Sequence, residues 1–542
     1  MMDFDAVLEE CGGFGRYQLV LMLLYGYTNV FSSMHYFAQT IISFTPEHWC
    51  HHEELENSTM LEIRNFYAAA DRPSCTSFYA IGTNVTELNN FESCDRWIYN
   101  YEFGYESVST ELNWVCDKAY QSAVGQSLFF IGSVCGTIFF GFLADKIGRL
   151  PALILSSITG GIGDFITSFI QTLPTFAVSR FIAGLSTDTM FYMMYVMVFE
   201  YLSPSRRTLG LNLVQLIFFT LGMFMAPWLA IWMGNWRKYL LLASLPILGT
   251  LLYPFVLCES AQWLITKKNL KGATKALQHV AKVNRRQVED EVFAKFEAYY
   301  EMKIAQEEKL NDVKETFLGL FRTPNLRKFI IILLIKSMII TMSFDIMGRN
   351  MEGLGTSPFK LFSFSALTAV PAGLTIIWLQ RYVGRKGMAC GSLLVGGIIT
   401  AITGTMIALL NREHYDTLLA VLAALGRYGS IVAYDAEAQY AAEIIPTSVR
   451  GQGVANVHVV GYAFNFLSAY IIFLGTFFKP LPTIVISVLM LTGAALCVVL
   501  PETMNRKLPE TLADGEEFGK DEKWSYFFCF DSKKCDVEIT RL

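Results

Sequence analysis

Twelve runs of about 20 apolar residues, separated by polar segments, set the pattern of this chain, and each is long enough to cross a ~30 Å hydrocarbon layer as a helix. They fall near 17–44, 120–144, 151–170, 175–199, 209–233, 237–257, 329–347, 361–380, 388–410, 416–439, 454–474 and 482–500. Pro227, Pro254 and Pro371 interrupt runs and predict kinks rather than ends, because neighbouring helices re-satisfy backbone groups freed inside a bundle. Lys146, Arg149, Arg206, Arg207, the Lys/Arg-rich segment 258–328, Arg385, Lys386 and Arg450 all fall on one side of the layer. That excess of bases marks the cytoplasm. An even number of spans then puts both termini there. The expected organisation is a cytoplasmic N-terminus (1–16), a six-helix half (17–257), a cytoplasmic helical linker (258–328), a second six-helix half (329–500) and a cytoplasmic tail (501–542). In the linker Ala273, Leu277 and Val280, then Val288, Val292 and Phe296, recur at helical spacing.

This topology leaves residues 45–118 as one large extracellular loop, whose chemistry suits that side. It holds the Asn-x-Thr/Ser acceptors Asn57 and Asn84, and an even set of cysteines, Cys50, Cys75, Cys94 and Cys116, expected to form two disulfides in one of three pairings. Composition agrees with a bilayer protein: 542 residues, 53% hydrophobic and 17% charged. The net charge of −5 comes with no basic stripe, so no nucleic-acid partner is expected. No phosphate loop, metal cluster or nucleophile elbow appears in the polar linker, so neither an enzyme, a cofactor nor a metal is expected. Residues 1–16 are polar and acidic, and the apolar run that follows is too long for a signal peptide's core.

Between the second and third runs stands Gly141-x-x-x-Asp145-Lys146-x-Gly148-Arg149, the loop signature of the major facilitator superfamily. Gly384-Arg385-Lys386 is a weaker copy, with Arg381 where Asp145 would fall. Other positions repeat at a constant offset of 243 residues: Glu200 and Arg207 match Glu443 and Arg450, and Glu259-Ser260 matches Glu502-Thr503. Two pseudo-symmetric halves that rock about a central site are what alternating access requires. These acids and bases, with Gly141 and Gly148, are read as gate latches of the inward-closed state. The chain resembles the organic cation and carnitine transporter family from about residue 4 to 518. The most specific pieces are Phe44-Thr45-Pro46-Glu47-His48-Trp49-Cys50, Trp114-Val115-Cys116-Asp117, Asn235-Trp236-Arg237, Leu320-Phe-Arg-Thr-Pro324 and Pro501-Glu-Thr503-x4-Leu508-Pro-Glu-Thr511. The resemblance implies a twelve-helix, all-α membrane carrier of small organic ions in the plasma membrane.

Ionisable groups inside spans cost about 2.5–3.5 kcal/mol each and are functional candidates by default. Asp435, mid-span in the tenth run, stands where cation carriers of the family place a carboxylate, and is expected to hold the substrate with Tyr434. Glu437 lies roughly 200° further round the helix, as a partner for Arg427 or an ion site. Tyr462 replaces an acid that the cation carriers keep, and Asp188 stands where several of them have lysine. Lys336 points inward or neutralises an acid in the cavity. Asp345 and Arg349, four apart, read as a local ion pair at the mouth. Tyr36, Phe191, Tyr192, Tyr195 and Phe344 are further aromatic candidates for cation–π contact. His35 and His458 titrate near neutral pH or simply pack. The expectation is a secondary or facilitative carrier of small organic cations or zwitterions, such as amines, carnitine-like or amino-acid-derived compounds. Asp164, Asp188 and Glu437 are candidates to bind Na⁺ or H⁺. The alternatives are an organic anion carrier relying on Lys336 or Arg427, and a membrane receptor or scaffold without turnover.

Overall fold

The computed structural model describes residues 3–51, 58–69, 75–77, 92–309, 317–350, 357–409, 415–504, 506 and 508–520. Asn57 and Asn84 lie outside these residues. Ten helical segments are long and apolar enough to cross a membrane. They are Cys116–Ile147, Arg149–Thr167, Leu173–Tyr201, Leu213–Met233, Trp236–Phe255, Pro324–Arg349, Pro358–Leu379, Tyr382–Leu409, Asp416–Ile444 and Arg450–Thr476. Arg16–Ile42 before them and Leu481–Cys497 after them complete twelve spans among the described residues. Arg16–Ile42 is the less apolar because it buries Gln18, Thr28, Asn29, Ser32, Ser33, His35 and Gln39 inside the bundle. That is the composition of a helix facing other helices rather than lipid.

The prolines act differently from one another. Pro227 sits inside the helix Pro204–Met233, whereas Pro246 and Pro254 accompany a change of the sixth span from α-helix (Trp236–Ser244) to 3₁₀ helix (Leu245–Phe255). Pro371 stands in the first turn of Ala369–Leu409, where its missing N–H costs little.

One apolar core joins spans 1 to 6 with the helices Leu270–Val283 and Asp290–Lys309 that follow them; a second joins spans 7, 9, 10, 11 and 12. A third cluster bridges the halves, with Tyr36, Phe37, Phe129, Phe130 and Met223 against Leu361, Phe362, Tyr462 and Phe466. The N-terminus is not a bare polar tail. Phe4–Glu10 is a helix capped by the Asp3 carboxylate, and Phe4, Val7, Leu8 and Cys11 bury one side of it in the N-terminal core. Asn284 fixes it by donating to the Cys11 carbonyl (3.0 Å) and accepting from the Tyr17 amide (2.9 Å). Burial raises the Cys11 thiol to about 12.

In the loop between the first two spans, His48–Cys50 pairs antiparallel with Trp97–Tyr99, and the disulfides are Cys50–Cys94 and Cys75–Cys116. The loop is fastened to the N-terminal half by Glu111, which accepts from Trp236 Nε1 (2.6 Å) and Arg237 Nη2 (2.6 Å). Burial alone would raise the Glu111 carboxyl, but these donors hold it below its ordinary value. Glu111→Gln is expected to destabilise this corner by about 2 kcal/mol, seen as earlier thermal unfolding of the purified protein.

Candidate functional site

The repeat predicts paired corners at one end of the spans, and the fold forms them. Gly148 has φ +113°, and a Cβ there would come within 2.3 Å of Glu259 Oε2. With that space open, the Glu259 carboxylate accepts from the amides of Arg149 (2.8 Å) and Leu150 (3.2 Å), capping the third span at its positive end. Burial nonetheless pushes the Glu259 carboxyl up. The second half repeats the device: Gly384 has φ +79°, its Cβ would lie 2.5 Å from Glu502 Oε2, and Glu502 accepts from the amides of Arg385 (2.9 Å) and Lys386 (3.1 Å). Glu200 accepts from Ser260 Oγ, as Glu443 does from Thr503 Oγ1 (2.5 Å) and Arg385 Nε (3.1 Å). Asp145 pairs with Arg149 (2.6 Å), and Trp263 Nε1 donates to the Asp145 carbonyl (3.0 Å).

Each of these bonds joins elements of one half, so in this conformation they brace the corners within each bundle. Gly141 has open space around it, Lys146 is exposed, and Arg450 Nε donates to the Ile445 carbonyl (3.2 Å). The Arg207 side chain lies outside the described residues. Gly148→Ala combines a left-handed backbone with a clash against the capping carboxylate. It is expected to cut the yield of monodisperse protein several-fold on size-exclusion chromatography.

At mid-depth the two halves face one another across a narrow void, too tight in this conformation to hold a water molecule, lined by Val134, Thr137 and Asp188 on one side and His458, Val459 and Tyr462 on the other. Asp188 is half-buried and accepts from Ser133 Oγ (2.7 Å). His458, Tyr36, Tyr434 and Tyr462 all lie within electrostatic range of Asp188. The Tyr434 and Tyr462 hydroxyls are 3.1 Å apart, the His458 and Tyr462 rings 4.6 Å, and Phe344 stacks on Tyr434 at 4.8 Å. Spans 1, 4, 7, 10 and 11 therefore bring one carboxylate and several aromatic rings to one place. The side of span 11 that carries His458 and Tyr462 exposes Ala455 and Gln452 towards its N-terminal end.

Asp435 is exposed on the inner half of span 10, and no described side chain pairs with it. It lies about 7 Å past its span's midpoint, towards the C-terminal end, by helical rise. Glu437 is turned away from Arg427 and forms a buried ion pair with Lys336 inside the C-terminal half, with the ammonium 4.5 Å from the Tyr440 ring centre. Arg427 instead rests against the Phe344 carbonyl and Met223 Sδ, each at 3.5 Å. Tyr195 packs with Tyr25 and Phe191 in the N-terminal half, and Tyr192, 46% exposed, stacks on it. His35 and Asp164 belong to a fully buried triad, with Asp164 bonded to His35 Nδ1 and Arg180 Nη1, both at 2.7 Å.

On the outer side the halves are tied together. Asp345 pairs with Arg349 Nε (2.6 Å) and also accepts from Tyr36 (2.8 Å) and Ser468 (2.6 Å). Arg349 reaches across to the Thr40 hydroxyl (2.6 Å) and the Tyr36 carbonyl (3.0 Å). Ser127 donates to the Phe466 carbonyl (2.9 Å), and Ser363 to that of Phe224 (3.2 Å). These crossings lie in the halves of their spans remote from the braced corners, and with the exposed polar positions on the corner side of spans 10 and 11 they describe a bundle pair closed at one end and looser at the other. Sequence reasoning missed Ser133, Ser468 and Thr40, since single hydroxyls in helices carry no signal of their own.

A structural likeness fits this architecture: a partially occluded, inward-open xylose transporter XylE from E. coli superposes with a TM-score of 0.58 at 12% identity, over 91% of this chain and 100% of that one. Among curated proteins, the organic cation transporter-like protein of Drosophila melanogaster is 27% identical over 96% of this chain and 94% of its own length. Solute carrier family 22 member 13 of Homo sapiens is 29% identical, covering 95% and 94%. The family model described as sugar (and other) transporter matches residues 73–513. That match takes in most of both halves, and with the two-half architecture it shows that the chain belongs to the sugar (and other) transporter family of the major facilitator superfamily.

Proposed function

We propose that this protein is a facilitative carrier of small organic cations, working by alternating access in the plasma membrane with both termini in the cytoplasm. The observation that carries the proposal is the central void, to which one half contributes Asp188 and the other His458 and Tyr462, with Tyr36 and Tyr434 beside it. A carboxylate in a low-dielectric setting attracts a cation far more strongly than it would in water. Aromatic faces add cation–π attraction without demanding one substrate shape. Because the site is split between halves, a bound cation favours their approach, and rocking the halves changes the side from which it is reached.

Asp435 is the second acid of the reading. Exposed and unpaired on the inward side, it draws cations towards the centre and hands them on to Asp188. Glu437 and Lys336 neutralise each other, which takes Lys336 out of contention as a substrate ligand. The similarity to organic cation transporters supports the same substrate class.

The test is uptake in a heterologous cell of quaternary amines, primary amines, zwitterions and organic anions built on one scaffold. Saturable uptake of the cations, inhibited by one another, is the expected result. Uptake confined to the anions, or none above background for the whole panel, ends the reading.

A further inference from the structure

We propose that His458 makes this carrier a proton–organic cation exchanger, because its protonated imidazole occupies Asp188 in place of the substrate. The inference rests on the cation site proposed above and adds a coupled ion to it. Asp188 belongs to span 4 of one half and His458 to span 11 of the other, and both line the same void. The groups that face this pair from the neighbouring spans are neutral. Span 2 presents Ser133, which donates to Asp188 Oδ2, and Thr137, whose hydroxyl is spent on the Ser133 carbonyl (2.9 Å). Spans 1 and 10 present the phenols Tyr36 and Tyr434, and span 11 adds Tyr462. Among the described residues lining the void, His458 is the one base and Asp188 the one acid. Asp188 Oδ1 has no described partner, so one oxygen is available to a cation.

Imidazole is the side chain whose charge changes nearest to neutral pH. Protonated, it supplies Asp188 with the positive partner that the carboxylate otherwise takes from the substrate. Binding a monovalent cation then expels one proton from the ring to whichever compartment the site faces. The site carries the same net charge before and after. A half-cycle with substrate and a return half-cycle with the proton exchange one positive charge for another, so the full cycle moves no net charge.

The experiment uses the full-length protein in phosphatidylcholine nanodiscs, with tetramethylammonium and tetraethylammonium as probes. Neither carries a dissociable proton, so any proton released comes from the protein. Binding is followed by calorimetry between pH 5 and 8, and release by a pH indicator in weak buffer. The expected result is proton release that rises towards one per probe bound as the pH is lowered, and an apparent Kd that falls by up to about tenfold per pH unit as the pH rises and levels off once the ring is neutral, as linkage requires of two ligands competing for one site. In His458→Gln the release and the pH dependence should both vanish, while Asp188→Asn should weaken binding at every pH. A probe that binds equally well at pH 5.5 and 7.5, or proton release that survives in His458→Gln, overturns the exchange mechanism and leaves the cation site standing. If neither probe binds at any pH, the cation site falls with it.

Discussion

Replacing Asp188 with Asn is expected to lower kcat/KM for organic cation uptake at least about 100-fold, whereas Asp435→Asn should lower it only about three- to tenfold. A 100-fold loss corresponds to about 2.7 kcal/mol of differential stabilisation. That magnitude is reasonable for an ionic contact at the closed seam between two helical bundles, where water is scarce and field lines are not screened. Asp188 occupies such a seam, with Ser133 holding one oxygen and aromatic rings from both halves around it. Asp435 is exposed on the inner half of span 10, where solvent screening reduces its pull on a cation. The measurement is initial-rate uptake normalised to surface protein, with Asp188→Glu as a control that keeps the charge. A profound loss in Asp435→Asn beside a mild one in Asp188→Asn would move the substrate anchor to span 10.

The contrast between these two acids shows what the chain makes legible and what it hides. Spans came from runs of apolar residues, and the corner braces from a repeat in which Glu200 and Glu259 reappear as Glu443 and Glu502. Both are local or periodic signals, and the bonds of Gly148 with Glu259 and of Gly384 with Glu502 give them a physical basis. Which way a braced corner acts was not legible, because partner choice depends on which helix ends meet in space. The same holds for the centre. Asp435 is conspicuous within its own helix, but only tertiary packing brings Asp188 opposite His458 or gives Glu437 to Lys336 rather than to Arg427. The buried face of the first helix was legible at i, i+3, i+4 spacing in Phe4, Val7, Leu8 and Cys11, yet its shortness and acidic surroundings concealed it.

The outer tie yields the second large effect. From spacing alone Asp345 and Arg349 read as a local pair on one helix, but in the fold the pair is sunk into the opposite half. Asp345 is fully buried and takes hydrogen bonds from Tyr36 and Ser468, while the Arg349 guanidinium lies 4.9 Å from the Tyr36 ring centre and 5.3 Å from that of Phe130. Removing one partner of such a pair leaves an uncompensated charge and costs about 3–5 kcal/mol. Much of that cost disappears if the halves part on the outer side and Arg349 meets water. Asp345→Asn should therefore shift the equilibrium towards outward-open by at least about tenfold, since each 1.4 kcal/mol of differential cost is a decade. The readout is a cysteine placed at Thr40, in a background whose free cysteines are replaced by serine, reacting with a membrane-impermeant maleimide added outside. Labelling should accelerate about tenfold or more in Asp345→Asn, with a concurrent fall in uptake. It should return towards the parent rate in Asp345→Asn with Arg349→Gln, where no buried charge is left unpaired. Unchanged labelling and unchanged uptake in Asp345→Asn would mean that the pair contributes nothing to holding the outer side closed. The tie would then rest on the aromatic contacts among Tyr36, Phe37, Phe130 and Phe362 and on the hydrogen bonds from Ser127 to Phe466 and from Ser363 to Phe224.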